Sequence, residues 1–441
     1  MMETSATPGL VRSMRRWDLV GVVINGVIGA GIFGLPSRVF ALAGPYSIFA
    51  FLICAVCVAA IVLCFAEVAS RYSATGGPYL YASEAYGPAT GFLVGWLVFV
   101  ARLTSFAANC SLLPAYLGLF FPALATGAGR ACILTLVVAV LAAVNVAGVR
   151  VAANTSNLFA AGKLIPLAVF VVAGLFFLDP ARFSLGVLPG YRPFSQSVML
   201  LVYAFTGFEM SVIPAGEARK PGRDLPVALM AGMTVVVVFY VLIQVVAIGT
   251  LPQLAGSQRP LADAAARFLG PGGAVMITVG IVVSLAGNLN VLMLSASRII
   301  FAMAEHGELP ALLAAIHPRH RTPSLAVLTT AAIMLGLTLS GTFLWLLTLS
   351  TLARLVAYIA TAGALPVLRR DTGAPEAKFH LCGGVAVAVA AIGLGLWLIS
   401  NSTLREARDT AIAAGIGLTL YYAYRTWRRR AGADIQETIE P

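Results

Sequence analysis

The stretch GVIGAGIFGLP, residues 26–36, decides how the rest of the chain is read. Gly29, Gly31 and Gly34 spell G-x-G-x-x-G, the pattern of a dinucleotide-binding loop. Such a loop requires a strand before the glycines, a helix after them and an acidic residue about 20 positions on. The first acidic residue after Gly34 is Glu67, and both flanks are apolar. DLVGVVINGVIGAGIFGLPSRVFALAG carries only Asp18 and Arg38, one near each end. The 441 residues are 59% hydrophobic and 11% charged, against about 25% charged for a soluble domain, and mean hydropathy is +0.91. The sequence reads as a polytopic membrane protein, and pyrophosphate binding at these glycines is set aside.

No cleavable signal peptide is expected. Residues 1–17 are polar, with Arg12, Arg15 and Arg16, and the apolar run behind them is long enough to span a bilayer. Apolar runs of about 20 residues fall at twelve places, roughly 18–41, 47–69, 91–120, 131–149, 157–178, 195–215, 227–250, 273–302, 324–340, 343–367, 382–400 and 409–426. An even number of spans puts both ends on one side. Taking that side as cytoplasmic collects the basic clusters at Arg12, Arg15 and Arg16, at Arg219, Lys220 and Arg223, at Arg369 and Arg370, and at Arg425, Arg428, Arg429 and Arg430. The opposite side keeps scattered arginines such as Arg130, Arg182 and Arg259, as the positive-inside rule asks. The net charge of +11 is therefore an orientation signal. RTWRRR at 425–430 reads as an anchor beside anionic membrane lipid, not as a nucleic-acid patch. The cysteines at 54, 57, 64, 110, 132 and 382 lie in or beside apolar stretches and read as packing residues. His306, His317 and His320 fall in a connecting loop; no cofactor or metal is expected.

The glycine cluster of the first run has a counterpart five runs later, where YAFTGFEMSVIPAG places Gly207, Glu209 and Pro214 in mid-membrane. Two interrupted hydrophobic segments at matching positions of two five-helix halves point to an inverted-repeat transporter. Unwound backbone inside a bilayer is tolerated only where it lines a cavity, and glycine permits both the unwinding and the close approach of a ligand. A half-helix starting near Gly31 aims its free N–H groups and positive dipole end at an anion such as a carboxylate. The carbonyls freed before it suit an ammonium group, and an α-amino acid carries both groups on one carbon. Small-residue helix packing is the competing account of the glycines.

These residues are similar to those of a known family. GVIGAGIFGLP resembles the first-helix signature of the amino acid–polyamine–organocation transporter superfamily, and YAFTGFE followed by GEARKPGRDLPVAL resembles its sixth helix and the loop after it. AEVASRYSATGGPYLYASEAYG (66–87) and SASRIIFAMAEHGELP (295–310) resemble its second-to-third and eighth-to-ninth connections. The resemblance implies an all-α membrane protein of twelve spans. A cytoplasmic segment 1–17 would precede a five-plus-five inverted-repeat core at 18–367 with helices one and six broken, peripheral helices at 368–426 and a cytoplasmic tail at 427–441. The implied activity is secondary transport of amino acids across the plasma membrane by alternating access, with no enzymatic chemistry. An exchanger of amino acids or polyamines and a non-transporting amino acid sensor are the alternatives.

Carried over by motif, backbone N–H groups of Gly29, Ala30 and Gly31 would hold the substrate carboxylate, and carbonyls of Val27, Tyr203 and Thr206 its amine. The Tyr203 ring stands where the family places an occluding gate, often Phe or Trp. Phe106, Asn109, Phe208 and Asn288 are the expected side-chain pocket. None is a carboxylate, so a neutral amino acid is expected and a cationic one lacks a counter-charge.

Ionisable groups deep in the membrane point to function, and Arg102, Lys163, Glu209 and Arg354 stand out. Arg102, Phe106 and Asn109 share a helical face, and Arg102 is expected either to pair with Glu209 or to aim at an acidic substrate. Arg38 and Glu67 are expected at the interface. For Arg354 the sequence offers snorkelling, although the residue sits far from its helix end. Lysine-bearing relatives resemble sodium-coupled ones with an ammonium group standing in the sodium site between helices one and eight. Lys163 is therefore expected to reach Ser295 or Ser297 and carbonyls near Ile24, with sodium-independent, proton-coupled transport as the consequence.

Overall fold

The computed structural model describes residues 10–437 except 30, 119–120, 341–342 and 401–403. The run around the opening glycines is divided into α1 (Arg16–Val27) and α2 (Gly31–Ala43). Then come α3 (Ser47–Arg71), α4 (Pro78–Tyr86), α5 (Pro88–Cys110), α6 (Leu113–Leu117), α7 (Gly127–Ala147), α8 (Val149–Leu175) and α9 (Tyr191–Ala204). The chain continues through α10 (Pro221–Thr250), α11 (Pro260–Glu305), α12 (Ser324–Ser340), α13 (Phe343–Arg370), α14 (Gly384–Ser400) and α15 (Leu404–Glu437). Among the described residues the protein is all-helical, apart from an isolated bridge between Met14 and Ala218. Among the described residues, seven helical segments, one of them the continuous run Gly31–Arg71, are long and apolar enough to cross a membrane.

Helix starts follow local chemistry. Pro78, Pro88, Pro221 and Pro260 each sit in a first helical turn, where the missing N–H has no intrahelical acceptor to lose. Gly148, at φ 140, separates α7 from α8. The sequence places the start of α8 near residue 157, because Asn154, Thr155 and Ser156 interrupt the apolar run. The helix in fact begins at Val149. Two of its polar groups face polar groups of α1: Asn25 donates to Ser156 O at 2.5 Å and Ser156 Oγ at 2.9 Å, and Asn157 donates to Asp18 Oδ1 at 2.6 Å. A polar run that finds partners inside the bundle need not end a helix.

α1 is buried on every side from Asp18 to Val27, as a helix that is apolar all round must be. It is packed among α8, α10 and α11. Its last turn meets the second interruption of the fold. After Ala204 the chain leaves the helix, passes through Gly207 in the left-handed region (φ 115) and enters a 3-10 turn, Phe208–Ser211. Here two backbones touch. A Cβ on Gly26 would strike the carbonyl oxygen of Gly207, and one on Gly207 would strike that of Gly26. Gly21 is likewise pressed on Asn157. The signature glycines differ: an added Cβ would come no closer than 3.6 Å to Asn288 at Gly29 or to Leu35 at Gly31, and would meet nothing within 4 Å at Gly34.

One expectation requires correction. Cys132 and Cys382 are exposed, unlike Cys54, Cys64 and Cys110. Glu67, near the end of α3, is fully buried, and Arg369 reaches both of its oxygens at 2.7 and 2.6 Å. Arg38 is exposed at its helix surface.

The packing glycines and the open ones should separate experimentally. Gly26→Ala should lower the unfolding midpoint in detergent, overpacking of this kind costing about 1–3 kcal/mol. Gly34→Ala should leave the midpoint unchanged or raise it, since alanine is the better helix former. Thermal unfolding of the two purified variants beside the parent measures the difference.

Candidate functional site

A helix that ends inside an apolar bundle leaves carbonyl oxygens without intrahelical donors. At the end of α1 these oxygens are taken up by side chains from the three surrounding helices. Asn288 on α11 donates through Nδ2 to Asn25 O at 3.0 Å and Gly26 O at 2.9 Å. The hydroxyl of Tyr240 on α10 lies within reach of Val27 O at 3.3 Å and Ala204 O at 3.2 Å, bridging the two interruptions. Ile28 O accepts from Lys163 Nζ on α8 at 2.6 Å and from Ser284 Oγ on α11 at 2.9 Å. Lys163 also donates to Ser284 O at 3.3 Å. An ammonium group here meets the negative end of the α1 dipole.

Lys163 thus finds one carbonyl, Ile28 O at the end of α1, and a partner on α11, but not the expected ones. Ser295 Oγ donates to Leu292 O, and Ser297 Oγ to Met293 O and Leu294 O. The residue that meets the lysine is Ser284. Positions 284 and 295 lie three helical turns apart on one face, so helical periodicity selects the face but not the level.

The second cluster is built on Glu209, just beyond the turn at Gly207. Arg102 Nη2 on α5 donates to its Oε1 at 2.6 Å, so the expected ion pair forms. Tyr358 on α13 donates to Oε2 at 2.7 Å, and the Gly207 N–H donates to the same oxygen at 2.9 Å. One carboxylate therefore fixes the turn and ties α5 and α13 to it. Arg354, one turn before Tyr358, does not snorkel. It is buried, donating through Nη1 to Thr206 Oγ1 at 2.8 Å and through Nη2 to Ser105 Oγ at 2.5 Å.

Of the expected pocket residues, Asn109 and Asn288 are brought together, Asn109 Nδ2 donating to Asn288 Oδ1 at 2.8 Å. Phe106 is fully buried. Phe208 stacks on Tyr358 with centroids 5.2 Å apart and meets Phe65 edge-on at 5.3 Å, which makes it part of the wall behind Glu209. The Gly29 N–H donates to Val27 O at 2.9 Å. Ala30 and the side chain of Tyr203 lie outside the described residues. Tyr240, Ser284, Ser105 and Tyr358 escaped the sequence reading. Two carried a usable signal, since Ser284 precedes Asn288, and Ser105 precedes Asn109, by one helical turn on the same face.

The end of the bundle that holds the N-terminal segment is closed by polar contacts. Met14 N donates to Glu217 O and Arg219 N to Met14 O, both at 3.0 Å. Arg298 pairs with Glu217 at 3.0 Å, Arg150 with Asp18 at 2.6 Å and Arg16 with Asp224 at 3.0 Å. Burial pushes the Glu217 carboxyl above its usual range, and the Arg298 guanidinium pulls against that shift. Towards the other end, Gly31, Asn109 and Tyr116 are partly exposed.

Polar side chains gathered around interrupted backbone at the centre of an apolar, all-helical bundle are the features of a polytopic membrane protein. The chain belongs to the amino acid permease family of the amino acid–polyamine–organocation superfamily, whose amino acid permease description matches residues 15–420. It is similar to an uncharacterized transporter of Mycobacterium tuberculosis (strain ATCC 25618 / H37Rv), with 32% identity over 98% of this chain and 96% of the relative. It is also similar to a methylthioribose transporter of Bacillus subtilis (strain 168), 26% identical over 95% of each chain. A serine/threonine exchanger of the same organism is 27% identical over 96% of this chain and 98% of its own. The family is one of multi-pass membrane transporters, not of enzymes.

If Glu209 holds the turn at Gly207, Glu209→Gln should strand a buried guanidinium and cost about 3–5 kcal/mol of stability. The loss should appear as a lowered unfolding midpoint together with lost ligand binding. Equal midpoints for Glu209→Gln and the parent would show that the cluster carries no such load.

Proposed function

We propose that this protein is a secondary active transporter of amino acids in the plasma membrane. It works by alternating access in a twelve-span fold whose first ten helices form two inverted five-helix repeats, with both termini in the cytoplasm. The observation that carries the reading is the division among the glycines. Gly21 and Gly26 are pressed against neighbouring atoms, whereas Gly29, Gly31 and Gly34 have room for a Cβ, so helix packing does not account for them. Space kept beside the N-terminus of α2 suits a carboxylate. The N–H groups of Gly31, Ala30 and Gly29 would hold it, the last released from its turn with Val27. The carbonyls of Val27, Tyr203 and Thr206 would hold the substrate amine, with the Tyr203 ring as gate. Contact between the two interruptions at Gly26 and Gly207 supports the inverted-repeat reading, and the basic clusters support the orientation.

Lys163 supplies a tethered positive charge on Ile28 O. A free sodium ion is then redundant, and the ammonium group becomes the element that couples the cycle to protons, with Glu209 and Arg102 holding the second interruption. Exchange is the second reading, favoured by the similarity to a serine/threonine exchanger along nearly the whole chain.

Uptake into proteoliposomes should be unchanged when choline replaces sodium; dependence on sodium would sink the reading of Lys163. Uptake by the parent should rise as external pH falls, and Lys163→Ala should flatten that profile. The carboxylate cradle has its own test. Amino acid amides should bind far more weakly than the free acids, and Gly31→Val should abolish binding in a protein that still inserts, because a β-branched side chain occupies the kept space.

A further inference from the structure

The charges around the second interruption do not balance. Arg102, Glu209 and Arg354 lie together between α5, the turn after α9, and α13, and one carboxylate faces two guanidinium groups. Glu209 already accepts from Arg102, Tyr358 and the Gly207 N–H. Arg354 has only two neutral hydroxyls, those of Thr206 and Ser105. Among the described residues no carboxylate pairs with it, and none of residues 341–351 is acidic. A guanidinium has five N–H donors. Two are spent on the hydroxyls, and Nε is buried without a partner. An unpaired charge this deep is costly, so its retention calls for a ligand that completes it.

Its position says which ligand. Arg102 and Glu209 are both 0% exposed, whereas Arg354 is 6% exposed; the arginine without a carboxylate is also the one not wholly enclosed by protein. Thr206 immediately precedes Gly207, and Ser105 lies one turn from Asn109, which donates to the Asn288 that holds the end of α1. Arg354 therefore borders the space where the substrate's side chain would lie. The planar fork of an arginine matches a carboxylate in two-point contact.

We infer that Arg354 is a specificity residue that selects a substrate whose side chain ends in a carboxylate, the substrate completing the unpaired charge between α5, α13 and the turn at Gly207. The inference rests on the transporter reading above and replaces the neutral substrate expected from the sequence. It also explains why a cationic side chain would be rejected, since it would face an uncompensated like charge.

Thermal unfolding of the detergent-purified protein with glutamate, aspartate, glutamine, asparagine, leucine and arginine tests it, because a ligand of the folded state raises the midpoint. At least one acid should stabilise the parent at a concentration about tenfold or more below that needed by its uncharged amide, and arginine should have no effect. Arg354→Gln should abolish or reverse that preference, and Arg354→Lys, which keeps the charge but not the fork, should retain it with weaker binding. Should Arg354→Gln fail to fold, the parent and Arg354→Lys decide between them. Amides or leucine binding the parent as well as the acids would overturn the inference and leave the transporter reading intact, as would an acid preference that survives in Arg354→Gln. Binding of none of the six would overturn both.

Discussion

The end of α1 sets the terms for the structure around it. A helix stopped in the middle of an apolar bundle exposes carbonyl oxygens that neither water nor lipid can satisfy there, at a cost of several kcal/mol each. Asn288, Tyr240, Lys163 and Ser284 meet that demand, coming from α11, α10, α8 and again α11. Each is an otherwise expensive polar group in an apolar helix, and each becomes tolerable because the broken backbone accepts its proton. The interruption and its partners are therefore one unit. Removing a partner strands a carbonyl, and restoring the helix would strand the partners.

The second interruption is held by a different device. The turn at Gly207 receives a carboxylate from its own strand of sequence, Glu209, whose oxygens collect an arginine, a tyrosine and a backbone N–H from three elements. Such a buried pair adds little net stability by itself; its effect is to fix position, because all three donors converge on one geometry. Tyr240 then lies between Val27 O and Ala204 O, so the two interruptions share a hydrogen-bonding group as well as the backbone contact at Gly26 and Gly207. Two pieces of irregular backbone linked in this way hold one another in place.

Away from this centre the molecule is asymmetric. At the end holding Met14, ion pairs and backbone contacts join the N-terminal segment, the turn before α10 and the last turns of α3, α11 and α13. Ion pairs closing one end are reversible contacts: water entering that end can solvate them and lower the cost of separation. The polar contacts gather at that end, while Gly31, Asn109 and Tyr116, towards the other, are partly exposed.

The sequence by itself determined the membrane class and the all-helical fold, because hydropathy is a local property that lipid reads directly. It also offered Glu209 as one of two partners for Arg102, and the ion pair is the one that forms. It failed where the answer depended on level or on a neighbour. Lys163 was correctly expected to serve α1 and α11, but Ser284 and Ser295 share a helical face, and only the depth to which α8 and α11 slide past each other chooses between them. For Arg354 the sequence offered snorkelling, and the residue is instead buried. Its hydroxyl partners lie 148 and 249 positions away on other elements, and its lack of a carboxylate is a property of the assembled cluster. Helical periodicity fixes direction around an axis; the register between helices, and with it the identity of every partner, is set only when side chains from separate helices compete for the same buried space.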